Sequence, residues 1–84
     1  MIQTGKTATI SKTVTEKLTA KHIGSGSLEV FATPMLVALM EEAACECLTN
    51  SLESGQTSVG TIISVSHTAA SPVGAVISAT ATIA

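Results

Sequence analysis

After Glu53 the chain contains no aspartate, glutamate, lysine or arginine. That charge-free stretch is also regularly patterned. In residues 57–68, "TSVGTIISVSHT", Val59, Thr61, Ile63, Val65 and His67 share one face, while Ser58, Gly60, Ile62, Ser64 and Ser66 share the other. Residues 75–83 alternate again, with Ala75, Ile77, Ala79, Ala81 and Ile83 set against Val76, Ser78, Thr80 and Thr82. Period-two patterning is the mark of strands with one apolar face, and "ASPVG" between the two segments is a turn. "VISATATIA" combines high β-propensity with no charge and no proline. As a free edge it is an aggregation hazard, so further chain or a second subunit is expected to cover it.

The apolar faces of such strands need something to pack on, and one segment qualifies. Residues 30–46, "VFATPMLVALMEEAACE", read as the start of a helix that runs to about Asn50, where "TNSLESGQ" breaks it. Thr33 followed by Pro34 fits an N-cap and the first helical position. Upstream, "GKTATISKTVTEKL" (residues 5–18) has apolar residues at even positions, interrupted by Lys12 and Glu16, and reads as a half-exposed strand. "HIGSGS" (residues 22–27) is a loop. Its two glycines could cradle an anion, but a plain linker is the better reading of so short a cluster. The order is β-α-β-β, an α+β plan with antiparallel strands around one long helix.

Composition narrows the function. Of the 84 residues 45% are apolar, yet Phe31 is the only aromatic one, so the core must be aliphatic. Charged residues make up 12%, about half the usual share. A domain this short and this apolar should bury surface against a partner or further chain. The basic residues are Lys6, Lys12, Lys17 and Lys21, which with Glu16 leave residues 1–21 at +3 (four minus one); Glu29, Glu41, Glu42, Glu46 and Glu53 set the rest at −5. A few N-terminal lysines do not make a nucleic-acid surface. The N-terminus lacks the continuous apolar core of a signal peptide, and no apolar run approaches the ~20 residues of a membrane span. Cys45 and Cys47, two apart on a helix, point about 200° from each other and cannot pair. They read as reduced thiols of a cytoplasmic protein, with no metal-type spacing.

The adjacent carboxylates inside the helix pose a question of phase. With Met35 at zero and about 100° per residue, Leu36, Val37, Met40, Ala43, Ala44, Cys47 and Leu48 span an arc from about 80° to 220°. Glu42 falls near 340° and Glu46 near 20°, both solvated, whereas Glu41 falls near 240°, at the edge of the arc. A carboxylate there is either a snorkelling boundary residue or a functional group held in a partly desolvated place. His67, in phase with Ile63 and Val65, is either a hydrogen-bonded core histidine or an acid/base. Together with Thr33 these residues are a plausible acid/base set if they converge.

"FATPMLVALMEEAA" followed by "SVGTIISVSHTAASPVG" resembles the hot-dog-fold acyl-CoA thioesterases of the fluoroacetyl-CoA thioesterase type, over residues 30–83. The most specific part is "GT-x-I-x-V-x-HTAA-x-P-x-G". The resemblance implies a central helix wrapped by an antiparallel sheet, in a homodimer or dimer-based oligomer with sites between subunits. It implies a single domain over residues 1–84 from which two further strands after Ala84 are missing. It assigns catalysis to Thr33, Glu41 and His67, and places the backbone N–H of Gly60 near the thioester oxygen. The fluoroacetyl-specific enzyme closes its site with phenylalanines before the helix, and "HIGSGS" has none.

The expected activity is hydrolysis of a short acyl-CoA, with no cofactor and no metal. His67 has the intrinsic pKa of a base near neutrality; Glu41 can orient it, activate water or attack the acyl carbon. Thr33 can position the nucleophile while capping the helix. The alternatives are a hot-dog protein that binds an acyl-CoA or another small ligand without turnover, and a structural role in which Glu41, His67 and Thr33 are boundary, core and cap residues.

Overall fold

The computed structural model describes residues 5–49, 52, 55, 65 and 67–83. Strand β1 (Thr7–Thr13) pairs antiparallel with β2 (Val76–Thr82), in a register that sets Thr7 against Thr82 and Thr13 against Val76. The alternation in residues 75–83 holds: Ala75, Ile77, Ala79, Ala81 and Ile83 are buried or half-buried, and the residues between them are exposed. On the outer face the register brings hydroxyls together, Thr9 with Thr80 at 2.7 Å and Ser11 with Ser78 at 2.8 Å. Cross-strand hydroxyl pairs satisfy polar groups on a face that carries little charge. The strand expected over residues 57–68 lies mostly outside the described residues.

β1 is shorter than the pattern in residues 5–18 suggested. Val14 leaves the ladder, buries its side chain at 1% exposure and bonds its N–H to the Ala75 carbonyl at 2.8 Å. A 3-10 turn (Glu16–Leu18) and a one-turn helix α1 (Ala20–Ile23) follow. Residues 22 and 23, expected in a loop, are thus helical. Thr19 explains the difference, since its hydroxyl accepts from the His22 N–H at 3.2 Å and donates to the Glu16 carbonyl at 2.8 Å. It caps α1 while almost fully buried, and Gly24 closes the helix in the left-handed conformation at φ 83°.

The long helix α2 (Thr33–Leu48) lies against the sheet. Its fully buried residues are Leu39, Ala43 and Cys47, one i+4 row, of which Leu39 and Ala43 form a core cluster with Val14, Phe31 and Ala79. This row is centred near 80°, about 70° from the middle of the expected arc. Leu39, outside that arc, is 1% exposed, whereas Met40 and Ala44, inside it, are exposed. The helix is apolar around most of its circumference, so hydropathy alone could not choose the row on which the sheet would seat. Phe31, the lone aromatic, is 2% exposed and sits in this core beside the start of α2.

Candidate active site

Backbone bonds lock the start of α2 in place. Ala20 N–H donates to the Val30 carbonyl at 2.8 Å, Ala32 N–H to Leu18 at 3.0 Å, and Phe31 N–H to Ser71 at 2.8 Å. The last of these ties the segment after His67 to the residue two before Thr33. The consequence is a hydrogen bond between the Thr33 hydroxyl and His67 Nδ1 at 2.7 Å.

Thr33 does not cap the helix. It is the first helical residue, Ala32 is the N-cap without a side-chain bond, and Pro34 follows at the second position. The Ala32 carbonyl already accepts from the N–H groups of Met35 and Leu36, both at 3.0 Å. The Thr33 hydroxyl is thereby left to engage the imidazole. A helix N-terminus also places partial positive charge beside these two groups.

Thr33 and His67 line one cavity of about 250 Å³ with Ala20, Ser25, Val30, Phe31, Thr68, Ala69 and Ala70. His67 is half-buried and Thr33 exposed, so the pair stands at the mouth. The walls contributed by Ala20 and Ser25 were not anticipated. The readable signal was Thr19 before "AKHI" and Gly24 after it, a cap and a stop around one helical turn.

Glu41 is placed differently. Eight residues beyond Thr33, it lies about 12 Å further along the helix axis, and it is exposed rather than at the edge of a buried face. It lines a separate groove of about 350 Å³ with Lys12, Phe31, Met35, Ala38, Leu39, Glu42 and Cys45. Phe31 is common to both concavities. The structure therefore unites Thr33 with His67 and leaves Glu41 in the neighbouring groove. Gly60 lies outside the described residues.

The solvated glutamates are where the phase put them. Glu42 meets Lys12 at 3.8 Å with both side chains well exposed, and Glu46 is exposed. Such exposed pairs contribute little. Both cysteines are free thiols: Cys45 is exposed, and buried Cys47 donates to the Lys6 carbonyl at 3.1 Å. Among the described residues no helix is long and apolar enough to cross a membrane.

One long helix packed on an antiparallel sheet, with a hydroxyl–imidazole pair at the helix start, is the hot-dog arrangement, and comparison with known proteins agrees. The profile of the fluoroacetyl-CoA-specific thioesterase family matches residues 14–84, and the chain belongs to this family. It is similar to the fluoroacetyl-CoA thioesterase of Streptantibioticus cattleyicolor, 49% identical over 53 residues, which cover 63% of this chain and 38% of that protein. A mutant of the fluoroacetyl-CoA-specific thioesterase FlK, solved with fluoroacetate and CoA, superposes with a TM-score of 0.87 at 36% identity, over 96% of this chain and 70% of the other. A second FlK mutant, in complex with acetyl-CoA, gives 0.87 at 36% identity over 96% of this chain and 65% of the other.

Proposed function

We propose that this protein hydrolyses short acyl-CoA thioesters, and that Thr33, His67, Glu41 and Gly60 form its site. The observation that carries the reading is the 2.7 Å bond between the Thr33 hydroxyl and His67 Nδ1 at the mouth of a cavity beside a helix N-terminus. With Nδ1–H donating to the Thr33 oxygen, the Nε2 lone pair is free to take a proton from water. The water oxygen bonds to the thioester carbon, the carbonyl pair moves to oxygen, and the Thr33 hydroxyl hydrogen and the Gly60 N–H stabilise the oxyanion. Collapse breaks the carbon–sulfur bond, and the imidazolium returns its proton to the departing thiolate. Each oxyanion donor is worth about 10²–10³ in rate and a general base about 10²–10⁴. The reaction requires no metal or cofactor.

Glu41 joins the site in the assembled protein. Phe31, Met35, Ala38 and Leu39 give its groove an apolar floor, and in our reading a second copy of the chain covers it. Covering the groove desolvates Glu41 and sets it at a site between subunits, where it acts on the second copy's reaction centre by orienting the imidazole, activating the water or attacking the acyl carbon. This homodimer also protects the uncharged strand at residues 75–83, and free thiols at Cys45 and Cys47 suit a cytoplasmic protein. Residues 22–27 bring no aromatic side chain to the cavity, so a fluorinated acetyl group should gain no large advantage.

The test is release of free CoA from acetyl-CoA by the purified chain, measured beside binding. Release supports the enzyme; binding without release points to a carrier of acyl-CoA, and neither points to a structural role. Sedimentation showing a folded monomer at micromolar concentration would refute the dimer.

A further inference from the structure

We propose that Lys12 is a positioning residue that acts through Glu41, as the cation that keeps this carboxylate ionised once a second copy covers the groove. The inference rests on the dimeric thioesterase reading and deepens it. Lys12 is where the apolar alternation of β1 breaks. Ile10 and Val14, two residues to either side, turn into the core, and Ile77, its partner across the ladder, packs there too. An aliphatic side chain would suit that position. Lys12 instead keeps 42% of its side chain exposed and lines the same groove as Glu41. A lysine stem can cover apolar surface while its ammonium group stays at the rim.

The charges of the groove do not balance without it. Glu41 and Glu42, adjacent on α2, line one concavity above an apolar floor that includes Phe31 and Leu39. Cys45 is the other titratable lining residue, and a thiol brings no charge in the acid range. β2 carries no titratable side chain, and Glu46 lies a turn beyond Glu42, exposed. On our reading the second copy adds its own His67. Lys12 Nζ stands 3.8 Å from Glu42 Oε2, which sets the ammonium at this pair of carboxylates.

In open water such a contact contributes little. Under a covering subunit, desolvation and the Glu42 charge both drive Glu41 towards its protonated form, and a nearby cation drives it back. A protonated Glu41 can neither take a proton from water nor attack the acyl carbon, and it no longer attracts an imidazolium. An inward-pointing lysine also blunts a strand edge against aggregation, a role that needs no carboxylate and predicts different kinetics.

The experiment measures kcat/KM for acetyl-CoA from about pH 5 to about pH 9, in wild type, Lys12→Met and Lys12→Arg, with sedimentation to follow assembly. Methionine keeps an unbranched stem and removes the charge. The ratio of wild type to Lys12→Met should lie near unity at the alkaline end, where Glu41 is ionised in both. It should rise to about 10-fold or more at the acid end, because an opposite charge at close range changes proton affinity by about that factor. Taking the ratio cancels the titration of His67, which both proteins share. Lys12→Arg should follow wild type. The same rise is expected with S-acetyl-N-acetylcysteamine, a thioester without phosphates.

A ratio independent of pH overturns the inference alone, and added aggregation of Lys12→Met would then make Lys12 a guard of the strand edge. A ratio that collapses to unity with the phosphate-free thioester overturns it too, and assigns Lys12 to the phosphates of CoA. Should Lys12→Met fail to assemble, Lys12→Gln decides the matter on the same criteria. A wild-type chain that releases no CoA from acetyl-CoA, or that turns over as a monomer, overturns the dimeric thioesterase reading as well.

Discussion

The two concavities that meet at Phe31 are built to different degrees. At the start of α2, backbone bonds among residues 18, 20, 30, 31, 32 and 71 hold three segments together, and the Thr33–His67 bond follows. Midway along the helix, Glu41 stands exposed in an open groove that it shares with Lys12, Glu42 and Cys45. The first corner is organised by the chain's own fold, whereas the second has the residue without the surroundings that would tune it. A carboxylate gains catalytic character from desolvation and from a partner, and on our proposal a second copy provides both.

Substitutions should separate the two corners, with the largest effect at the organised one. His67→Ala should lower kcat for acetyl-CoA by about 10²–10⁴-fold, measured by CoA release. Glu41→Gln should cost about 10²-fold in the assembled protein, and the double mutant should lose less than the product of the two, since residues acting as a unit are non-additive. If Glu42→Gln abolishes turnover and Glu41→Gln does not, the assignment of the groove carboxylate is wrong.

Because Ala32 is the N-cap and the Thr33 hydroxyl is spent on His67, Thr33→Val should reduce kcat by about 10-fold or more while changing stability by less than the ~1 kcal/mol typical of a lost cap. Thr33→Ser should restore most of the rate. A large drop in stability with unchanged kinetics would return Thr33 to the role of cap.

Helix phase can be tested by stability alone. Leu39→Ala should destabilise the fold by about 2–5 kcal/mol in urea titration, as buried leucines do. Met40→Ala, at 37% exposure, should cost well under that. The smallest effect is expected for Glu46→Gln, within about 0.5 kcal/mol of wild type and with turnover unaltered. Equal losses at positions 39 and 40 would mean that the sheet does not seat on the 39–43–47 row.

Much of this was legible in local pattern. Alternation in residues 75–83 identified β2 and its inward face, and the Thr-Pro pair with the break near residue 50 bounded α2 within two residues. Glu42 and Glu46 fell on solvated arcs by angle alone. The resemblance marked Thr33, Glu41 and His67 as one set, but nothing in their spacing could bring them together, and within the chain only Thr33 and His67 meet.

Local sequence by itself determined that residues 33–48 form a helix and 76–82 a strand, because periodicity and turn chemistry act over a few residues. Packing chose which row of the broad apolar face of α2 meets the sheet, made Ala32 rather than Thr33 the N-cap position, and brought the Thr33 hydroxyl to His67. Those outcomes depend on bonds such as Phe31 N–H to Ser71, which join residues forty apart in the chain. A long-range contact leaves no periodic trace in either segment it joins, so its geometry is fixed by packing.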